Sequence, residues 1–155
     1  MSYLNVITLQ EAKDYLRIDD TLTEDDARIT SMIKASLRYI ERQTNVILYA
    51  RDQEYLFTDY CVRVYDYPIN TIISPTDLDV KEKELYTIYS VNKSDVKLNL
   101  NIGYVNSDDV PNEIIEIALE YLKYMYYDSE SNTGNSGEIP MYIKQMIHDQ
   151  KRFIV

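Results

Sequence analysis

The spacing of apolar residues changes twice along this chain, and that constrains its fold more than any other feature. Through the first 45 residues they recur every three or four positions, from 46 to about 104 they gather in short β-branched and aromatic runs, and from 111 onward the helical spacing returns. Helices at both ends with strands between them predict a mainly α, α+β fold: a small helical core of about four helices with an inserted antiparallel β region, in a single domain over 1–155.

The helix boundaries follow from local chemistry. Thr8-Leu9-Gln10-Glu11 has capping-box form and predicts a helix over about 8–17. Thr23-Glu24-Asp25-Asp26 repeats the signal, with Leu22 and Ala27 placed as a hydrophobic staple, and predicts a helix over 23–44. Ile29, Ile33, Leu37 and Ile40 would line its buried face. Pro111 opens a third helix over 111–127, whose wide apolar arc implies packing on more than one side, within the monomer or against a neighbour. A polar linker over 128–137 precedes a last helix at 140–151 carrying Ile143 and Ile147. Between these, strands are predicted at Ile47 to Phe57, Cys61 to Tyr65, Ile69 to Ile73, Leu85 to Val91 and Val96 to Ile102. In the last, Leu98, Leu100 and Ile102 alternate with Asn99 and Asn101, as in a strand with one wet face.

Charge excludes one class of function. With 26 acidic and 16 basic side chains the formal net charge is -10, so the surface repels a nucleic-acid duplex on average rather than gripping its phosphates. The one net-positive segment is 138–155, where Lys144, Lys151 and Arg152 outnumber Glu138 and Asp149.

Motifs for catalysis are missing. Cys61 is the single cysteine and His148 the single histidine, and nothing in their spacing makes a catalytic pair or a metal site. The glycines are Gly103, Gly134 and Gly137, which excludes a phosphate-binding loop. The acidic run Asp19 to Asp26 lacks the alternating ligands of a calcium loop and fits helix capping instead. The 16 tyrosines suit core and interface packing. No catalytic residue, cofactor or metal is therefore expected. The N-terminus lacks the pattern of a signal peptide and no apolar run suits a membrane span, so a soluble protein of a reducing cytoplasm is expected.

Taken in order, the segments resemble the bacteriophage head-to-tail connector family, also called head-completion adaptors. Residues Ile7 to Asp19 look like the family's opening helix and turn. Asp25-Asp26, Ile29, Ile33, Ala35 and Tyr39-Ile40-Glu41 look like its long helix. Tyr67-Pro68-Ile69, Ile102-Gly103-Tyr104, Val110-Pro111, Ala118, Tyr126-Tyr127 and Glu138-Ile139-Pro140 then follow in the family's order. The chain departs from the family at Asp128-Ser129-Glu130, where a basic residue is common, and at Lys151-Arg152-Phe153, where a Pro-Tyr-Arg-like tail is common.

The resemblance implies a non-enzymatic virion protein at the head-tail interface, present in the host cytoplasm during assembly. It implies a homo-oligomeric ring of about a dozen subunits beneath the portal protein. Such a ring extends the DNA channel, lets DNA pass without specific binding and offers a platform to a stopper or tail-completion protein. The resemblance and the sequence together imply that 138–155, released from the core by the linker at 128–137, forms an arm that docks on the portal. Lys151, Arg152, Phe153, Ile154 and Val155 are the candidate docking residues, because this segment is net positive, ends in an apolar run and follows the polar linker. The alternative is a fourth core helix with a frayed basic end. A different reading of the same acidity is a small regulatory or DNA-mimic binding protein without catalysis, expected as a monomer or dimer.

Overall fold

The computed structural model describes residues 2–57, 60–91, 96–131 and 138–151, the side chains of 128–131 excepted. Among the described residues, five α-helices come from the two ends of the chain: α1 (Tyr3–Val6), α2 (Leu9–Leu16), α3 (Asp26–Thr44), α4 (Asn112–Ser131) and α5 (Met141–Gln150). The Thr8 capping box forms as its sequence requires. Its Oγ1 accepts from the Glu11 amide at 3.2 Å, and the Glu11 carboxylate accepts from the Thr8 amide at 2.7 Å.

The second capping signal is overridden. Helix α3 starts at Asp26 rather than near Thr23, and Leu22 and Ala27 are both exposed, so the staple does not form. The cause is Lys13, buried on α2. Its ammonium donates to the carbonyls of Asp20 at 3.2 Å and Leu22 at 2.6 Å and to the Asp26 carboxylate at 2.8 Å. Carbonyls turned toward that charge cannot point along a helix axis, so 19–25 stays a turn. Other elements differ from expectation too, the first strand among them, which begins at Arg51 rather than Ile47. Helix α1 is a single turn, too short to show a period, and α4 continues to Ser131, past the expected end at 127.

Ile29, Ile33, Leu37 and Ile40 of α3 are fully buried against Ile114, Ile117, Ala118 and Leu122 of α4 and Ala12 and Leu16 of α2. Helix α5 completes this core through Ile143 and Ile147. The described part of the C-terminal segment is thus a core helix, not an arm released from the core.

The β region forms two three-stranded antiparallel sheets. One has the order β1 (Arg51–Leu56), β6 (Lys97–Ile102), β3 (Ile69–Ser74); the other β2 (Cys61–Val64), β5 (Thr87–Ser90), β4 (Asp79–Glu82). Strand β4 was not expected, since Asp-Val-Lys-Glu carries one apolar residue and is exposed throughout. Strand β6 alternates as predicted. Leu98, Leu100 and Ile102 are buried with Ile47, Phe57, Val64 and Tyr89 in a second core drawn from both sheets. On its other face Asn99 donates to Ser74 Oγ at 2.9 Å, Asn101 to Asp52 at 2.7 Å, and Asn70 to Asn101 at 3.1 Å, a cross-strand ladder of amides.

The insertion leaves and rejoins the helices at one place. The Ala50 amide donates to the Tyr104 carbonyl at 2.8 Å, and the Tyr104 amide to the Ile47 carbonyl at 3.3 Å. Gly103 permits this approach: at φ 102° its missing Cβ would lie 2.3 Å from the Tyr49 carbonyl oxygen.

Candidate functional site

The residues with reactive side chains are dispersed. Cys61 is exposed on β2 in the β half, whereas His148 lies on α5 in the helical half with Nδ1 3.6 Å from Asp149. Among the described residues no three His, Cys, Asp or Glu side chains gather as metal ligands, and no helix is long and apolar enough to cross a membrane. Most carboxylates of the acidic run are engaged by protein groups. Asp19 accepts from the Thr21 amide and hydroxyl at 2.9 and 2.6 Å, Asp20 accepts from Gln10, Asp25 from the Tyr126 hydroxyl at 2.8 Å, and Asp26 from Lys13. What the fold offers instead is surfaces.

A concavity of about 690 Å³ lies where α1, α3 and the β1–β6 sheet meet, and is lined by Tyr3, Arg38, Glu41, Arg42, Asp66 and Arg51 among others. Glu41 organises its floor. This buried carboxylate accepts from the Tyr3 hydroxyl at 2.5 Å, from the Leu48 amide at 2.8 Å and from both terminal nitrogens of Arg51 at 3.1 to 3.2 Å. The Arg51 guanidinium lies over the Tyr49 ring, 5.0 Å from its centroid, and Tyr49 meets Tyr3 edge to face. Burial, and the proton donated to Glu41, push the Tyr3 hydroxyl above the usual tyrosine range. With every oxygen of Glu41 engaged, this is a joint between helices and sheet rather than an acid or base waiting for a substrate.

A second concavity, about 510 Å³, runs between α3 and α4 and is lined by Ala35, Arg38, Tyr39, Arg42, Tyr121 and Met125. Tyr39 and Tyr121 pack at 4.8 Å between centroids, and Tyr121 stacks on Tyr124 at 6.3 Å. Arg38 and Arg42 form the ridge between the two concavities. With Lys34 they are spaced four apart on the exposed face of α3, and none of the three has an ion pair among the described residues. On a chain of net charge -10, three unpaired cations on one helical face are a concentrated exception.

The opposite pole of charge is the turn before α3. Asp19, Asp20 and Glu24 flank Leu22 in sequence; Leu22 is 58% exposed, and none of these acids forms an ion pair among the described residues, Lys13 acting on Asp19 only at longer range. Because Lys13 holds the Asp20 and Leu22 carbonyls from beneath, the turn has a fixed shape.

At the C-terminus the Lys151 amide donates to the His148 carbonyl at 3.1 Å and closes α5. Arg152, Phe153, Ile154 and Val155 lie outside the described residues. Lys13 and Glu41 were not singled out from sequence, although the signal is there: Glu41 continues the four-residue spacing of Ile29, Ile33 and Leu37, and Lys13 sits with Leu9, Ala12 and Leu16 on one helical stripe. A charge inside an apolar stripe marks a buried, partnered group.

Residues 6–70 match the profile of the phage gp6-like head-tail connector protein family, which bears out the resemblance read from the sequence. No curated protein matches the chain. Among solved structures, it resembles a chain in the neck of an empty gene transfer agent particle computed with C6 symmetry, at 15% identity and a TM-score of 0.74, covering 97% of this chain and 91% of that one. It resembles another in the virion of the native particle, at 14% identity and a TM-score of 0.74, covering 100% and 94%. A third, in the native neck computed with C12 symmetry, gives 14%, 0.69, 97% and 91%. At these identities the likeness is one of fold.

Proposed function

We propose that this chain is a structural head-to-tail connector of a tailed bacteriophage or a phage-like particle. It works as one subunit of a ring of about a dozen that sits beneath the portal protein, extends the DNA channel and presents a platform to a stopper or tail-completion protein. The observation that carries this reading is the coincidence of two independent likenesses: a connector signature over residues 6–70, and a neck-protein fold over nearly the whole length.

The physical chemistry agrees with a passive conduit. A net charge of -10 disfavours adhesion to DNA that has to slide past, and the described surface offers grooves and exposed apolar side chains, among them Leu22, Val105, Met141 and Tyr142, rather than a reactive cluster. The tail from Lys151 to Val155 remains the candidate portal grip, at the end of a helix whose apolar face is already used in the core.

Deleting the gene from the particle's genome tests the role. Filled heads that fail to join tails are expected, with joining restored by the gene supplied in trans. Normal tailed particles from the deletion strain would overturn it.

A further inference from the structure

Building on the connector reading, we infer that the acidic turn around Leu22 of one copy docks into the α3–α4 groove of the next, so that a single helix carries both halves of the subunit contact. The groove calls for such an occupant. Its floor is apolar and aromatic, from Ala35, Tyr39, Tyr121 and Met125, while its rim is cationic, from Arg38 and Arg42, with Lys34 further along the same face. A complementary partner presents one apolar side chain ringed by carboxylates. Leu22 among Asp19, Asp20 and Glu24 is that feature on this same chain.

Three observations carry the pairing. First, charge is complementary, three cations on α3 facing three carboxylates that form no ion pair among the described residues. Second, the turn is preorganised, since the buried ammonium of Lys13 fixes its carbonyls and leaves Leu22 outward, which lowers the ordering cost of docking. Third, the small side chains of Ser31 and Ala35 on the same exposed face leave room for backbone to approach. Turn and groove are different surfaces, separated along α3 by roughly 18 Å between Asp26 and Arg38 at the helical rise. A contact that joins two different surfaces is heterologous, and it closes into a ring when the rotation between copies divides a full turn. DNA is the poorer occupant of the groove, because the acids of the turn lie on the same subunit and would repel its phosphates.

The test is charge exchange in the full-length protein, assembled alone at high concentration and on portal rings, and followed by native mass spectrometry. Arg38→Glu with Arg42→Glu is expected to weaken assembly at least tenfold. So is Asp19→Lys with Asp20→Lys and Glu24→Lys. The two sets combined are expected to restore it, a result that a folding defect does not give. In a Cys61→Ser background, Leu22→Cys with Ala35→Cys is expected to give a disulfide-linked ladder extending beyond the dimer. Rings that form normally with Arg38 and Arg42 reversed, without cross-links, overturn the inference and leave the connector reading intact. A cross-linked dimer that grows no further overturns the head-to-tail arrangement. Loss of DNA binding with rings unaffected would assign the ridge to nucleic acid instead. A chain that never assembles, alone or with the portal, overturns both readings.

Discussion

Glu41 and Arg51 face each other end on, with Oε1 3.1 Å from Nη1 and Oε2 3.2 Å from Nη2, the carboxylate side chain 4% exposed and the guanidinium 29%. Removing the acid leaves a half-buried cation, the Leu48 amide and the Tyr3 hydroxyl without their acceptor. Glu41→Ala is therefore expected to cost about 3–5 kcal/mol of unfolding free energy. Glu41→Gln should cost less, because an oxygen still accepts from Leu48. Urea denaturation measures both, and wild-type stability in the two variants would show that the charge and its partners contribute nothing.

Gly103→Ala is expected to destabilise more than any exposed substitution in the chain. Its Cβ would stand 2.3 Å from one backbone atom of Tyr49 and 2.6 Å from another, in a conformation that L side chains rarely adopt. Backbone cannot rotate aside as a flexible side chain can. A loss of about 2 kcal/mol or more is expected on thermal or urea unfolding, together with disturbed amide resonances for Ile47 to Ala50.

Glu120 makes stability depend on pH. The Tyr15 hydroxyl donates to it and holds its carboxyl below the usual glutamate range; partial burial opposes this, and Tyr142 and Lys123 add to it. A carboxyl held low in the folded state contributes stability that is fully present above the ordinary glutamate value, about 4.3, and lost as pH falls through the folded value. Tyr15→Phe should cost about 1–2 kcal/mol at neutral pH. Its deficit against the wild type should narrow as the pH drops below about 4. Melting curves across that range check the sign, and a deficit that widens in acid would contradict it.

Deleting 151–155 should leave the melting temperature almost unchanged while abolishing capture by portal rings. Helix α5 is anchored by Ile143 and Ile147, upstream of the deletion. A collapsed melting temperature would place the tail in the core, and undiminished capture would remove it from the portal contact.

Much of this fold was legible because periodicity reports which face is buried. The Ile29, Ile33, Leu37 and Ile40 stripe and the Leu98, Leu100 and Ile102 alternation both lie where the spacing puts them. What was not legible depends on contacts distant in sequence or on elements too short to show a period. The start of α3 is decided by an ammonium on a different helix, α1 is one turn, and β4 is a solvent-facing edge strand with one apolar residue. The basic ridge was hidden for a different reason. Segment totals average Lys34, Arg38 and Arg42 with the surrounding acids, and only the folded helix leaves them on one exposed face with no ion pair among the described residues.

The meeting of Ala50 with Tyr104 gives the chain a hairpin-like topology on the scale of the whole protein. α3 and α4 pack together across an excursion of roughly sixty residues whose ends lie side by side, and the entropy of closing a loop rises only slowly with its length. Residues can therefore be added to or removed from the far strands at small thermodynamic expense to the helices. The cost falls on kinetics instead: long-range closure delays the helical core, so the α3–α4 pair is expected to be among the last contacts to consolidate as the chain folds.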